Sequence, residues 1–151
     1  MRSLIISILI MIFASQLQAA TCEQAAAELN RALRVRVDEK ELAEAIRHLN
    51  STHNVSLPPK FITKREAHFL GWRPGKNLWS IPELKGKSIG GDRFGNREGR
   101  LPEASGRRWK EADLDYKGGK RGAKRLLFST DGIRMVTVDH YSTFSEVPAC
   151  R

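Results

Sequence analysis

The feature that most limits the fold is a change of period along the chain. Before about residue 70 the apolar residues recur at helical spacing, and after about residue 87 they alternate in short runs broken by Gly and Pro. The stretch 22–33 is rich in Ala, Glu and Leu, and after Asp38 the residues Leu42, Ala45, Ile46 and Leu49 fall on one helical face. Asp38 with Glu41 three positions on is a helix start, and Thr63 with Glu66 has the capping-box spacing, with Gly71 placed to end the short helix begun there. Downstream, residues 125–129, an Asp131-Gly132 turn and residues 133–139 predict a hairpin, with further strand patterns over 107–116 and 141–147. Helices followed by a run of strands imply an α+β fold, with N-terminal helices packed on a C-terminal antiparallel β-sheet.

The N-terminus is read separately from this body. Met1 and Arg2 precede an apolar run from Leu4 to Phe13, and small residues follow at Ala19 and Ala20. The run is about half of the roughly 20 residues a membrane span needs, so residues 1–20 read as a signal peptide and the protein as secreted, periplasmic or extracellular, with no membrane attachment after cleavage. The remainder divides into a helical segment, 21–53, and a core, 54–151, that together make one domain. Cys22 and Cys150 are the only cysteines. In an exported chain they predict one disulfide closing nearly the whole sequence, with two free or intermolecular thiols as the alternative.

Charge narrows the partners. Lys and Arg number 26 against 17 Asp and Glu, a formal charge of +9, which makes anionic partners the default. Gly86-Lys87-Ser88 imitates the end of a phosphate-binding loop, but Ile81 stands where that motif needs Gly. His48 and His53 are spaced to point in different directions on a helix, so no metal site emerges, and no Ser nucleophile motif is present. What remains is a polar constellation: Glu111, His140 and the basic stretch 117–125. Singly these are ordinary surface groups. Together, a carboxylate and an imidazole can share acid and base work while arginines hold an anionic transition state. Alternation places Trp109, Glu111 and Asp113 on one strand face, an ionisable floor, and Ala112, Leu114 and Tyr116 on the other as core.

Several long motifs then recur in one order. Residues 88–102 read Ser-Ile-Gly-Gly-Asp-Arg-Phe-Gly-Asn-Arg-Glu-Gly-Arg-Leu-Pro, residues 105–113 read Ser-Gly-Arg-Arg-Trp-Lys-Glu-Ala-Asp, and residues 139–144 read Asp-His-Tyr-Ser-Thr-Phe. With Ile62-Thr63-Lys64 and Leu70-Gly71-Trp72 before them, these resemble the barnase-type microbial ribonucleases from about Asn54 to Phe144. The segment before Ser51 matches less, and the terminal cysteines look like additions to the scaffold.

The resemblance implies the microbial ribonuclease fold and a guanyl-preferring endoribonuclease that cuts single-stranded RNA by transesterification. Glu111 falls at the family's general base and His140 at its general acid. Lys64, Arg121 and Arg125 match the phosphate-contacting cations; Asn96, Arg97 and Glu98 match the guanine loop, with Phe94 and Tyr141 as aromatic residues lining that site. Arg107 and Asp131 match a structural ion pair. The nucleophile is the substrate's own 2'-hydroxyl, so no metal and no cofactor is called for. A small acidic inhibitor resembling barstar is an implied partner beside RNA, and a monomer is the default state. The competing reading is a non-catalytic basic module that binds RNA or an anionic surface.

Overall fold

A computed structural model describes residues 18–151, so the expected signal peptide lies almost wholly outside the described residues. Two helices, α1 (Cys22–Ala32) and α2 (Glu39–Ser51), come first. Thr21 caps α1 by accepting from the Gln24 amide, and the Gln24 side chain accepts in turn from the Thr21 amide. Asp38 caps α2 through the Glu41 amide, the start that the Asp-x-x-Glu spacing predicts. Leu42, Ala45, Ile46 and Leu49 are wholly buried, as one apolar helix face should be.

A strand, β1 (Phe61–Ile62), and a short helix, α3 (Lys64–Phe69), follow, then β2 (Ser88–Phe94), β3 (Trp109–Asp113), β4 (Arg125–Ser129), β5 (Arg134–Thr137) and β6 (Ser145–Glu146). All six strands form one sheet in sequence order. Every pairing is antiparallel except β1 with β2, which is parallel and which period alone does not reveal. The Asp131-Gly132 hairpin forms, with Gly132 at φ 96° closing a three-residue link between Ser129 and Ile133. Its second strand stops at Thr137, because residues 139–144 turn into a loop.

Helices α1 and α2 cover one face of the sheet. Ala112, Leu114, Leu126, Phe128 and Val136 meet Leu29, Leu42, Ile46 and Leu49 in the main core. The Cys22–Cys150 disulfide fastens α1 to the C-terminal tail across a sequence separation of 128, and Asn50 donates to the Cys150 carbonyl beside it at 2.9 Å. One correction to the face assignment follows from the packing. Strand β3 ends at Asp113, so Tyr116 leaves the helix-side core and joins Trp72, Leu78, Leu84 and Ile89 in a second cluster. The opposite face carries Trp109, Glu111 and Asp113 together, as alternation predicts, and is closely packed. Trp109 packs with Leu101 and Leu127, leaving Glu111 and Asp113 only 7% and 2% exposed.

Candidate active site

The site is built where β2 and β3 meet the start of α3. Between Gly90 and Asp92 the β2–β3 register shifts by a bulge, with Gly91 at φ 100°, a conformation that favours glycine. A side chain at Gly90 would fall within 3.0 Å of Phe61, Ala112 and Leu57, so close packing requires glycine there too. The bulge aims Asp92 at the first turn of α3, where its carboxylate accepts from the Lys64 amide at 2.9 Å. Thr63 and Glu66 complete the cap. Lys64 is thereby held at the helix start, and its Nζ donates to Glu111 Oε1 at 3.0 Å. The Tyr141 hydroxyl donates to the other oxygen, Oε2, at 2.5 Å. Glu111 is thus a buried carboxylate with both oxygens engaged, one by a cation and one by a phenol.

The cations Arg121 and Arg125 are fixed by a residue that the motifs leave without a role. Asp113 accepts from Arg121 Nε and Nη2 at 2.6 and 2.7 Å, and its Oδ1 lies 3.0 Å from Arg125 Nε. Asp113 faces Arg125 directly across the β3–β4 pair, one step along the same strand face from Glu111. The hydrogen bond from Arg121 to Asp113 leads the effects that raise the guanidinium pKa above its usual value. Arg125 also places its guanidinium 5.9 Å from the Tyr141 ring centre. Lys64 from α3, Arg121 from the loop before β4 and Arg125 from β4 thus gather on the side of the sheet that carries Glu111, a carboxylate not spent on pairing with an arginine.

His140 is exposed, on the loop after β5. His140 and Tyr141 take left-handed backbone angles, φ 55° and 71°, and the surroundings hold them there. Thr137 accepts from the Tyr141 amide at 3.0 Å and donates to Asp139, while Asp139 accepts from the Thr143 amide and hydroxyl at 2.9 and 2.6 Å. The Thr143 hydroxyl leads the hydrogen bonds that hold Asp139 down at a pKa of about 2. The His140 amide donates to the Ala123 carbonyl, tying this loop to the arginine loop. The tilted His140 and Tyr141 rings lie 4.9 Å apart.

Beside this cluster opens a cleft of about 620 Å³, walled by Phe94 to Glu98, Arg93, Arg100, Tyr141 and Phe144. The structure brings all five expected base-site residues, Phe94, Asn96, Arg97, Glu98 and Tyr141, to its lining, and Tyr141 joins it to Glu111. Phe94 stacks on Tyr141 with ring centres 5.2 Å apart. Asn96, at φ 45°, is buried and spends its side chain inside the loop, accepting from the Leu101 amide and donating to the Leu101 carbonyl and to Glu103. The exposed Glu98 lines the cleft together with Arg93, Arg97 and Arg100. Glu98 Oε2 pairs with Arg100 at 3.0 Å. Burial leads the effects that raise the Tyr141 hydroxyl to a pKa of about 12, so it is a proton donor at neutral pH.

Sequence reasoning assigned no role to Asp92, Asp113 or Arg100. The parity of β3 against the predicted hairpin signals Asp113, but Asp92 and Arg100 act through a bulge and a loop that periodicity does not encode. The expected structural pair is present, with Arg107 Nε within 2.9 and 3.0 Å of the Asp131 oxygens.

A carboxylate paired with a lysine, two arginines nearby, an exposed imidazole on a neighbouring loop and an aromatic cleft are groups that can act together on an anionic substrate. The family model described as ribonuclease matches residues 45–148. A protein named ribonuclease from Heyndrickxia coagulans is 53% identical over 92 residues, covering 60% of this chain and 83% of that protein. Ribonucleases from Bacillus intermedius and Bacillus pumilus are each 53% identical over 92 residues, again 60% of this chain, and the match spans little more than half of their length, 56%. The chain belongs to the ribonuclease family, a family of RNA-cleaving enzymes. Both cysteines lie outside the matched residues.

Proposed function

We propose that the protein is an exported, metal-independent endoribonuclease that cuts single-stranded RNA on the 3' side of guanosine. The observation that carries this reading is the setting of Glu111: a buried carboxylate held by Lys64 and Tyr141, with Arg121 and Arg125 drawn to the neighbouring Asp113 and a base-sized cleft adjoining.

In the first step Glu111 takes the proton of the ribose 2'-hydroxyl, and the 2'-oxygen attacks the adjacent phosphorus. His140 gives a proton to the leaving 5'-oxygen, which yields a 2',3'-cyclic phosphate. Water opens that ring with the two roles exchanged. Lys64, Arg121 and Arg125 balance the charge that grows on the phosphoryl oxygens. Guanine enters the Phe94–Tyr141 cleft, where backbone amides of 96–98 meet its acceptors and Glu98 accepts from its N–H groups. The described residues contain no helix long and apolar enough to cross a membrane, and the disulfide suits an oxidising compartment. The cationic site is also of the kind that an acidic, barstar-like protein would cover.

The test is cleavage of a short RNA containing one guanosine, in chelator, with Glu111→Ala and His140→Ala beside the parent and a 2'-deoxyguanosine substrate as control. A cut 3' to guanosine that ends in a cyclic phosphate is expected, absent from the deoxy substrate and slowed about 10² to 10⁴-fold in each variant. RNA that is bound but left intact would favour the basic binding module instead.

A further inference from the structure

Arg100 belongs to none of the groups that perform the chemistry, yet its guanidinium spans both walls of the cleft. One terminal nitrogen, Nη1, donates to the carbonyl oxygens of Tyr141 and Ser142 at 3.0 Å each. The other, Nη2, lies 3.0 Å from Glu98 Oε2. The first pair of acceptors belongs to the loop that carries His140 and Tyr141; the last is the carboxylate that faces the base. We propose that Arg100 is a positioning residue that orients Glu98 for guanine recognition and ties that recognition to the placement of the His140 loop. This rests on the reading of Glu98 and His140 given under Proposed function.

The geometry gives each contact a consequence. Arg100 Nη2 meets Glu98 at Oε2, so that Oε1 can turn toward the N–H donors of a base. On the other side, His140 and Tyr141 occupy left-handed backbone angles in succession, which turns the carbonyls of Tyr141 and Ser142 toward the cleft rim where Arg100 takes them. Tyr141 is also the donor to Glu111, so the strap acts on the loop that serves both the proposed acid and the proposed base. A planar, five-donor guanidinium can hold a carboxylate and two carbonyls at once, whereas a lysine ammonium supplies one compact charge. Gly99, at φ 62°, lets the chain turn between Glu98 and Arg100 so that both side chains reach the same rim.

The experiment measures kcat and KM on matched RNAs with a single guanosine or a single adenosine, for the parent, Arg100→Ala, Arg100→Lys, Glu98→Ala and the Glu98→Ala/Arg100→Ala pair. Arg100 is about half exposed, so the variants are expected to melt close to the parent. In Arg100→Ala the guanosine-over-adenosine ratio of kcat/KM should fall about tenfold or more, the scale of a lost hydrogen bond to a charged group. In the Glu98→Ala background the same change should leave that ratio unaltered while still lowering kcat, because only the loop contact remains to be lost. Arg100→Lys should restore most of the discrimination and little of the kcat. A ratio and a kcat both within about twofold of the parent in Arg100→Ala overturn the assignment, and so does an undiminished loss of discrimination without Glu98. A parent that cuts after either base alike overturns the guanosine reading instead, and Arg100 is then judged on kcat alone.

Discussion

Reducing the Cys22–Cys150 bridge, or replacing both cysteines by alanine, should lower stability by an amount set chiefly by the length of chain it closes. The bridge joins positions separated by 128 in sequence, and the two Cα atoms lie 4.9 Å apart. Loop-closure entropy for a ring of that size corresponds to about 5 kcal/mol at 25 °C. With an unfolding entropy of about 2 cal/mol/K per residue for a domain of this length, the same free energy corresponds to a fall in Tm of roughly 15–20 °C. Helix α1 gives the prediction a structural partner. Its buried face, Cys22, Ala25, Ala26 and Leu29, consists mostly of small side chains, so little apolar area replaces the cross-link once it is gone. Urea and thermal melts of the oxidised protein, the protein in dithiothreitol and the double alanine variant measure the effect, with RNA cleavage followed in parallel at 25 °C. Both cysteines lie outside the residues matched to the family, so cleavage at that temperature should continue in the fraction that remains folded. A Tm shift below about 5 °C would refute the reasoning and mean that the reduced unfolded chain is already constrained, or that the tail remains docked without the bond.

Three further outcomes follow from the site and its supports. Asp113→Ala removes the carboxylate that pairs with both Arg121 and Arg125 and strands two charges, one buried and one partly buried, so urea melts should show a loss of about 3–5 kcal/mol together with a fall in kcat; a variant as stable as the parent would mean that the arginines find other partners. Arg107 leads the interactions that hold Asp131 down at a pKa of about 2, below the ordinary 3.8. The stability this contributes is complete above the ordinary value and is lost as pH falls through about 2, so the gap between Asp131→Asn and the parent should be widest near neutrality and close between pH 3.8 and about 2 in pH-resolved urea melts. An acidic barstar-like protein should suppress RNA cleavage, and suppression should weaken with added salt and with loss of Arg121 or Arg125; inhibition indifferent to salt would count against an electrostatic contact.

Much of this molecule is written in local pattern. The caps at Asp38 and Thr63, the buried face of α2 and the hairpin after Ser129 depend on interactions between residues a few positions apart, and such interactions survive in a one-dimensional reading. The α+β class follows from the order of the two periods, and the pairing of Cys22 with Cys150 from there being only two cysteines to pair in an oxidised chain. Glu111 and His140 stand out in sequence as chemistry-bearing types carried by long motifs. The structure places Glu111 among Lys64, Tyr141 and the arginines, and His140 beside Tyr141.

Tertiary structure alone decided the rest. Alternation put Trp109, Glu111 and Asp113 on one strand face, but that Trp109 packs with Leu101 and Leu127 and that Asp113 pairs with Arg121 and Arg125 depends on other parts of the chain. The parallel β1–β2 pair, the bulge at Gly91 that delivers Asp92 to Lys64, and the reach of Arg100 across to Tyr141 and Ser142 each join residues distant in sequence. Sequence by itself determines which side chains are available and which short segments coil or extend, because those preferences are local. Which carboxylate is spent on holding arginines and which stands clear of them depends on distances across the sheet, and those exist only once the chain has folded.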